Sequence, residues 1–184
     1  SWEILSGKGG QGSYFNPTFL SPNGESQVTG HSTQIITDKA IEWLKKRDHK
    51  KPFLLCTQFK VPHIHRLPPI NRMHGYDDIE FPVPETFFDD FSSRSSFVSE
   101  TWMALKGMKG HVLNIAPTME EIKKSPKIRP PFLHEMNSKQ QKAWHSAYDP
   151  RNLRYQKLIQ EGKLQGETKS LYIYQRFIKD YVRC

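Results

Sequence analysis

The stretch Lys51-Pro52-Phe53-Leu54-Leu55-Cys56-Thr57-Gln58-Phe59-Lys60-Val61-Pro62-His63 decides how this chain is read. Its apolar run, residues 53–59, is continuous rather than alternating, the pattern of a strand covered on both faces of a parallel sheet. It predicts a core strand over residues 53–57 that carries Lys60 and His63 just beyond its C-terminal end. In open α/β sheets ligands bind at that end. The preceding residues 32–47 have helical periodicity, with Ile35, Ile36, Ala40, Trp43 and Leu44 on one face. Ser32 or Thr33 can cap that helix, and Lys45, Lys46 and Arg47 sit in its last turn, where the helix dipole favours cations. Helix, turn and strand make half of a βαβ unit. A doubly buried strand needs neighbours, and no second clear one is present. The chain is therefore expected to be an internal piece of a larger α/β enzyme, with the apolar faces of helix and strand partly uncovered.

Around this unit the chain is irregular. Residues 1–30 are rich in Gly, Ser, Asn and Pro and read as loop. Gly7-Lys8-Gly9-Gly10-Gln11-Gly12 matches G-x-G-x-x-G in letters. No strand precedes it, no helix follows, and the Gly-Lys-Ser/Thr of a phosphate loop is missing, so it reads as a turn. Residues 60–115 are loop-rich, with Pro62, Pro68, Pro69, Pro82 and Pro84. Residues 116–184 read as helical. Thr118 with Glu121 and Ser138 with Gln141 fit capping boxes, Asp149-Pro150 reads as a helix start, and Gly162 as a stop. A last helix is expected over about 168–183, with Leu171, Tyr174, Phe177, Ile178 and Tyr181 as its apolar stripe.

Composition narrows the function classes. The 184 residues carry a formal charge of +8, 36% hydrophobic residues, 13 prolines and 11 glycines. Mean hydropathy is −0.69. Ordinary globular domains run nearer to about 45–50% apolar. The basic balance favours polyanionic or sulfated and phosphorylated partners without choosing among them. Two cysteines, Cys56 and Cys184, make neither a disulfide framework nor a zinc set. No run approaches the ~20 apolar residues of a membrane span.

Lys60-Val61-Pro62-His63 is the first candidate for chemistry. An ammonium and an imidazole at a strand end can bind an oxyanion and protonate a leaving group. Pro62 keeps Val61 extended and directs the loop away. His63 and His65, with His74 beyond, fall short of a zinc ligand set with its supporting shell. The acidic pairs Asp77-Asp78 and Asp89-Asp90 lack calcium-loop spacing and read as solvated, capping or salt-bridged groups. The lysines and arginines are scattered and lack a nucleic-acid-binding pattern, so no nucleic acid partner is expected. No G-x-S-x-G or other activated nucleophile is present.

Four segments resemble the sulfatase family, closest to its bacterial arylsulfatase-type members of alkaline-phosphatase-like fold. Trp2-Glu3-Ile4-Leu5 through Gly12-Ser13-Tyr14-Phe15-Asn16-Pro17 is similar to W-x-x-L-P-G-Q-G-x-Y-x-N-P. Gly30-His31-Ser32-Thr33 through Thr37-Asp38-Lys39-Ala40-Ile41-Glu42-Trp43-Leu44 resembles G-x-x-T-D-x-x-T-D-x-A-x-x-W-L. Lys51-Pro52-Phe53-Leu54-Leu55 through Lys60-Val61-Pro62-His63 resembles K-P-F-F-L followed by H-K-A-P-H. Tyr174-Gln175-Arg176-Phe177-Ile178-Lys179-Asp180-Tyr181 resembles Y-Q-R-Y-x-K-D-Y.

The resemblance implies a partial three-layer alkaline-phosphatase-like α/β sandwich and hydrolysis of a sulfate ester on a small molecule or glycan. It places His63 on a catalytic and substrate-binding position and Lys60 on a substrate-binding one. It implies a formylglycine and a calcium ion in the complete family. Neither is expected to be bound here, because the C/S-x-P-x-R motif, the upstream Asp-Asp pair, the Gly-Lys-x-His segment and the Ser-Asp-x-Gly metal segment are absent, and no metal ligand is assigned. Phe59 stands where many relatives carry His. By resemblance alone, a periplasmic or secreted location is favoured. Expected is thus a middle segment, residues 1–184, of a sulfatase catalytic domain, inactive alone. Two alternatives stay open: a phosphodiesterase or phosphatase of the same superfold, and a non-catalytic basic module that binds acidic glycans.

Overall fold

The computed structural model describes residues 2–7, 11–100 and 110–184. Lys8, Gly9 and Gly10 of the glycine-rich run lie outside the described residues. The chain divides into two compact units, one within residues 1–63 and 131–141, the other within 64–130 and 142–184.

The first unit corrects the reading of residues 1–30 as loop. Three short strands, β1 (Ile4–Leu5), β2 (Thr18–Ser21) and β3 (Gly24–Gln27), form an antiparallel sheet in the order β1-β2-β3. Ile4 faces Leu20, and Thr18 faces Gln27. The Gly and Ser content that reads as loop is what a two-residue hairpin needs. Gly24, at φ +103°, closes the turn after Pro22 and Asn23 in a conformation that disfavours other residues. β2 buries Phe19, whereas β3 is exposed throughout.

Helix α1 (Ser32–Lys46) follows an isolated bridge between Phe15 and His31. The expected caps are not used: His31 holds the cap position but its side chain does not cap the helix, and the hydroxyls of Ser32 and Thr33 are buried without hydrogen-bond partners. The bridge supplies the reason, since the Ser32 N–H is already taken by the Tyr14 carbonyl at 2.8 Å. At its other end the Trp43 ring lies 5.5 Å from Phe53, and the Arg47 guanidinium 4.3 Å above the same ring.

Residues 53–59 do not form the expected strand. They are irregular, with Leu54 86% exposed and Phe53 50% exposed. A strand is defined by its ladder partners, and among the described residues the sheet β1-β2-β3 does not include this run. Its apolar side chains thus remain partly exposed, as expected for a strand reading without neighbours. Tyr14, Phe15, Phe19, Phe132, Leu133 and Met136 form the core of this unit.

The second unit is helical. α2 (Ser96–Glu100), α3 (Met119–Lys124), α4 (Ser138–Gln160) and α5 (Gly166–Arg183) follow in order, and α4 lends its residues up to Gln141 to the first unit. The Thr118–Glu121 capping box is present with both reciprocal bonds. The box expected at Ser138 and Gln141 sits one residue earlier: Asn137 Oδ1 accepts from the Gln140 N–H at 3.0 Å, and Gln140 Oε1 from the Asn137 N–H at 2.8 Å.

Asp149-Pro150 is not a helix start, because α4 runs through it. Asp149 is occupied elsewhere, bonded to His145 Nδ1 at 2.8 Å and to the Met119 N–H at 2.9 Å. α4 ends as expected at Gly162, whose φ of +67° allows paired bonds of Gly162 N–H to Ile159 and Lys163 N–H to Leu158.

α5 buries a different face from the one expected. Ile173, Arg176, Asp180 and Arg183 are buried, while the stripe Leu171, Tyr174, Phe177, Ile178 is half-buried and Tyr181 exposed. Burial of these charges is possible because each is bonded. Asp180 accepts from Asn114 Nδ2, Tyr148 Oη and Arg183 Nη1 at 3.0, 2.9 and 2.8 Å. Arg176 donates to the Leu113 carbonyl at 2.9 Å and to Asn152. Arg183 also reaches Asp77 at 2.6 Å, and Arg151 reaches the same carboxylate at 2.7 Å. The salt-bridged reading of the Asp77 cluster is what the structure has, and Asp89 likewise pairs with Arg94 at 2.7 Å. Burial works against the Asp77 charge, but the hydrogen bond from Arg151 and the charges of Arg151 and Arg183 hold its carboxyl below the usual range.

Candidate functional site

Lys60 and His63 lie on one tight turn in the first unit, closed by the His63 N–H on the Lys60 carbonyl at 3.0 Å. The Val61–Pro62 peptide within it is cis. His63 is exposed and Lys60 half-buried, so an imidazole and an ammonium are offered at one edge of the unit. The turn follows the irregular run 53–59 rather than the end of a strand. What holds it is a tyrosine 49 residues upstream in sequence.

Tyr14 is 1% exposed and touches the turn twice. Its hydroxyl donates to the His63 carbonyl at 2.7 Å. Its ring lies under the Lys60 ammonium, 5.2 Å from nitrogen to centroid. The Glu135 carboxyl sits near the Tyr14 main chain and the Ser13 hydroxyl, both of which favour its charged form. Burial lowers the Lys60 ammonium below the usual lysine range, against the pull of Glu135. Burial also raises the Glu135 carboxyl, against the Tyr14 N–H, the Ser13 hydroxyl and the charge of Lys60. Half-burial thus moves both members of this pair toward neutrality.

Asn16 locks the same loop. Its Nδ2 donates to the Glu135 carbonyl and to Gln140 Oε1, both at 2.8 Å, and its Oδ1 accepts from the Gly30 N–H at 3.1 Å. Glu135 lines an open polar groove of about 520 Å³ with Ser13, Asn16, Gln27, His134 and Asn137. Tyr14, Asn16 and Glu135 were not singled out by sequence reading. Tyr14 and Asn16 stand in the motif Gly12-Ser13-Tyr14-Phe15-Asn16-Pro17, which was their only signal, and Glu135 had none.

Among the described residues, no group of three or more His, Cys, Asp and Glu side chains could hold a metal ion. Cys56 is exposed and is followed by Thr57-Gln58-Phe59-Lys60, not by the x-P-x-R that formylglycine formation needs. The described residues fit neither calcium nor formylglycine. No helix is long and apolar enough to cross a membrane among the described residues.

No protein-family model matches the chain. A curated relative, N-acetylglucosamine-6-O-sulfatase from Bacteroides thetaiotaomicron, is 33% identical over 183 residues, which is 98% of this chain and 32% of the relative. A solved structure of a protein in complex with its substrate D-glucosamine-2-N,6-O-disulfate superposes with a TM-score of 0.87 at 32% identity, over 99% of this chain and 36% of that one. The chain therefore spans about a third of the length of the proteins it matches. Over that third, the chain is similar to sulfatases in sequence and shares their alkaline-phosphatase-like fold.

Proposed function

We propose that the chain is the middle segment of a sulfatase catalytic domain, and that its turn at Lys60–His63 binds and helps to cleave a sulfate ester. The observation that carries this reading is the joint fixing of Lys60 and His63 by Tyr14, which sets two residues of the sulfatase-like K-x-P-H segment side by side. Lys60 attracts the sulfate by charge. His63 contacts the sulfate or the leaving oxygen and gives that oxygen a proton as the S–O bond breaks, a contribution typically worth ~10²–10⁴-fold. The protein described as N-acetylglucosamine-6-O-sulfatase and the neighbour with a 6-O-sulfated glucosamine bound support a sulfated amino sugar, free or within a glycan, as the substrate. Formylglycine and calcium, which sulfatases generally use, would come from parts of the full-length protein outside these residues.

The test is sulfate release by the full-length protein from N-acetylglucosamine 6-sulfate. Turnover there, with none on the matching phosphate monoester or on phosphodiesters, supports the proposal. Phosphate release without sulfate release would establish the rival member of the superfold.

A further inference from the structure

We propose that Tyr14 is the positioning residue of this site, setting the imidazole of His63 and the ammonium of Lys60 at one spacing for the sulfate ester; the inference rests on the reading of Lys60 and His63 given above. Tyr14 is well suited to the role because it is itself immobile. It is 1% exposed, its carbonyl accepts from the Ser32 N–H at 2.8 Å, and its ring centroid lies 5.7 Å from that of His31. The next residue, Phe15, is bridged to His31. A group fixed on so many sides can define the place of what it touches.

Tyr14 meets the turn through its hydroxyl and through its ring face. Its hydroxyl takes the main-chain carbonyl of His63, not the imidazole, so it fixes where that side chain starts. Its ring face attracts the Lys60 ammonium through the π-cloud, an attraction that sets no single N–H direction and so places the charge without fixing all three donors. The turn bond between His63 N–H and Lys60 carbonyl then couples the two positions. One aromatic residue thus links the segment Gly12–Pro17 to the segment Lys51–His63.

The experiment compares Tyr14→Phe and Tyr14→Leu in the full-length protein, on N-acetylglucosamine 6-sulfate and on an activated aryl sulfate, with thermal unfolding as the check on folding and His63→Ala alongside. Tyr14→Phe keeps the ring and loses the bond to His63. Its kcat on the sugar sulfate should fall roughly tenfold, the scale of one hydrogen bond's worth of placement, with little change on the aryl sulfate and none in KM. Tyr14→Leu also loses the seat of Lys60, and KM should rise on both substrates. A purely structural tyrosine would instead lower both rates together with the unfolding temperature. Equal losses on the two substrates, or no loss in Tyr14→Phe while His63→Ala is impaired, would overturn the role of Tyr14. If His63→Ala itself matches the parent on both substrates, the reading of the site fails first and the inference falls with it.

Discussion

Replacing Asp180 by alanine should unfold the second unit or bring it close to unfolding. The carboxylate is 2% exposed and accepts three bonds, from Arg183 at 2.8 Å, Tyr148 at 2.9 Å and Asn114 at 3.0 Å. Removing it does not free its partners equally. Asn114 keeps the Arg66 carbonyl at 2.8 Å, and Arg183 keeps Asp77 and the Gly75 carbonyl. The Tyr148 hydroxyl, on a side chain with no exposure, loses the acceptor on Asp180, as does one arm of a guanidinium whose side chain is 2% exposed. An unsatisfied buried donor costs about 1–3 kcal/mol, and breaking a buried ion pair from one side about 3–5 kcal/mol. The expected loss is therefore about 3–5 kcal/mol, against total stabilities of about 5–15 kcal/mol for ordinary domains. Asp180→Asn keeps shape and an acceptor but not charge, and should lose less, about 1.5–3 kcal/mol. Urea titration followed by near-ultraviolet circular dichroism reads this directly, because Trp144 stacks on Tyr148 at 4.8 Å and reports on the packing of this unit. An Asp180→Ala transition within about 0.5 kcal/mol of the parent, the range of inert surface changes, would refute the idea that paired charges hold α5 in place.

Three further expectations follow from other elements. Leu54→Ser combined with Phe59→Ser should reduce binding of an apolar dye to the native chain without lowering its unfolding midpoint, since Leu54 is 86% and Phe59 43% exposed. Gly162→Ala should cost about 1–2 kcal/mol, read as faster amide exchange in the last turn of α4, because the stop needs φ +67°. The two units should respond oppositely to pH. Burial raises the Glu135 carboxyl in the fold, so the native state holds its proton more tightly and stability falls as pH rises through that elevated value. Asp77 is held below its ordinary value despite burial, so its contribution is present above the unfolded value and is lost as pH falls through the folded one. Glu135→Gln and Asp77→Asn should each flatten one side of the stability–pH curve in urea titrations at stepped pH.

Local signals were legible where one turn of chain decides the outcome. The capping box of Thr118 and Glu121 and the glycine stop at 162 are set by residues within a few positions of each other. Asp149-Pro150 carries an equally local signal and misleads, because contacts with His145 and Met119 occupy the aspartate and a long helix absorbs the proline. The polar buried face of α5 could not be read from periodicity, since it depends on Asn114, Tyr148 and Asp77 from distant parts of the chain. The run 53–59 has the composition of a core strand, but composition does not provide ladder partners. At the site, Lys60 and His63 are three apart and fall together on spacing alone. Tyr14 and Glu135 join them only through folding, and a sequence distance of 49 residues leaves no pattern to find.

The proposed sulfate-binding role of the Lys60–His63 turn is tested most directly by His63→Ala in the full-length protein, with kcat/KM measured on N-acetylglucosamine 6-sulfate and on an activated aryl sulfate. Proton donation by His63 requires a loss of ~10²–10⁴-fold on the sugar sulfate and a smaller one on the aryl sulfate, whose leaving group needs little protonation. Lys60→Ala should depress both substrates evenly, and His65→Ala should change little. An unchanged kcat/KM for His63→Ala on both substrates would contradict the assignment and leave His63 an ordinary loop histidine.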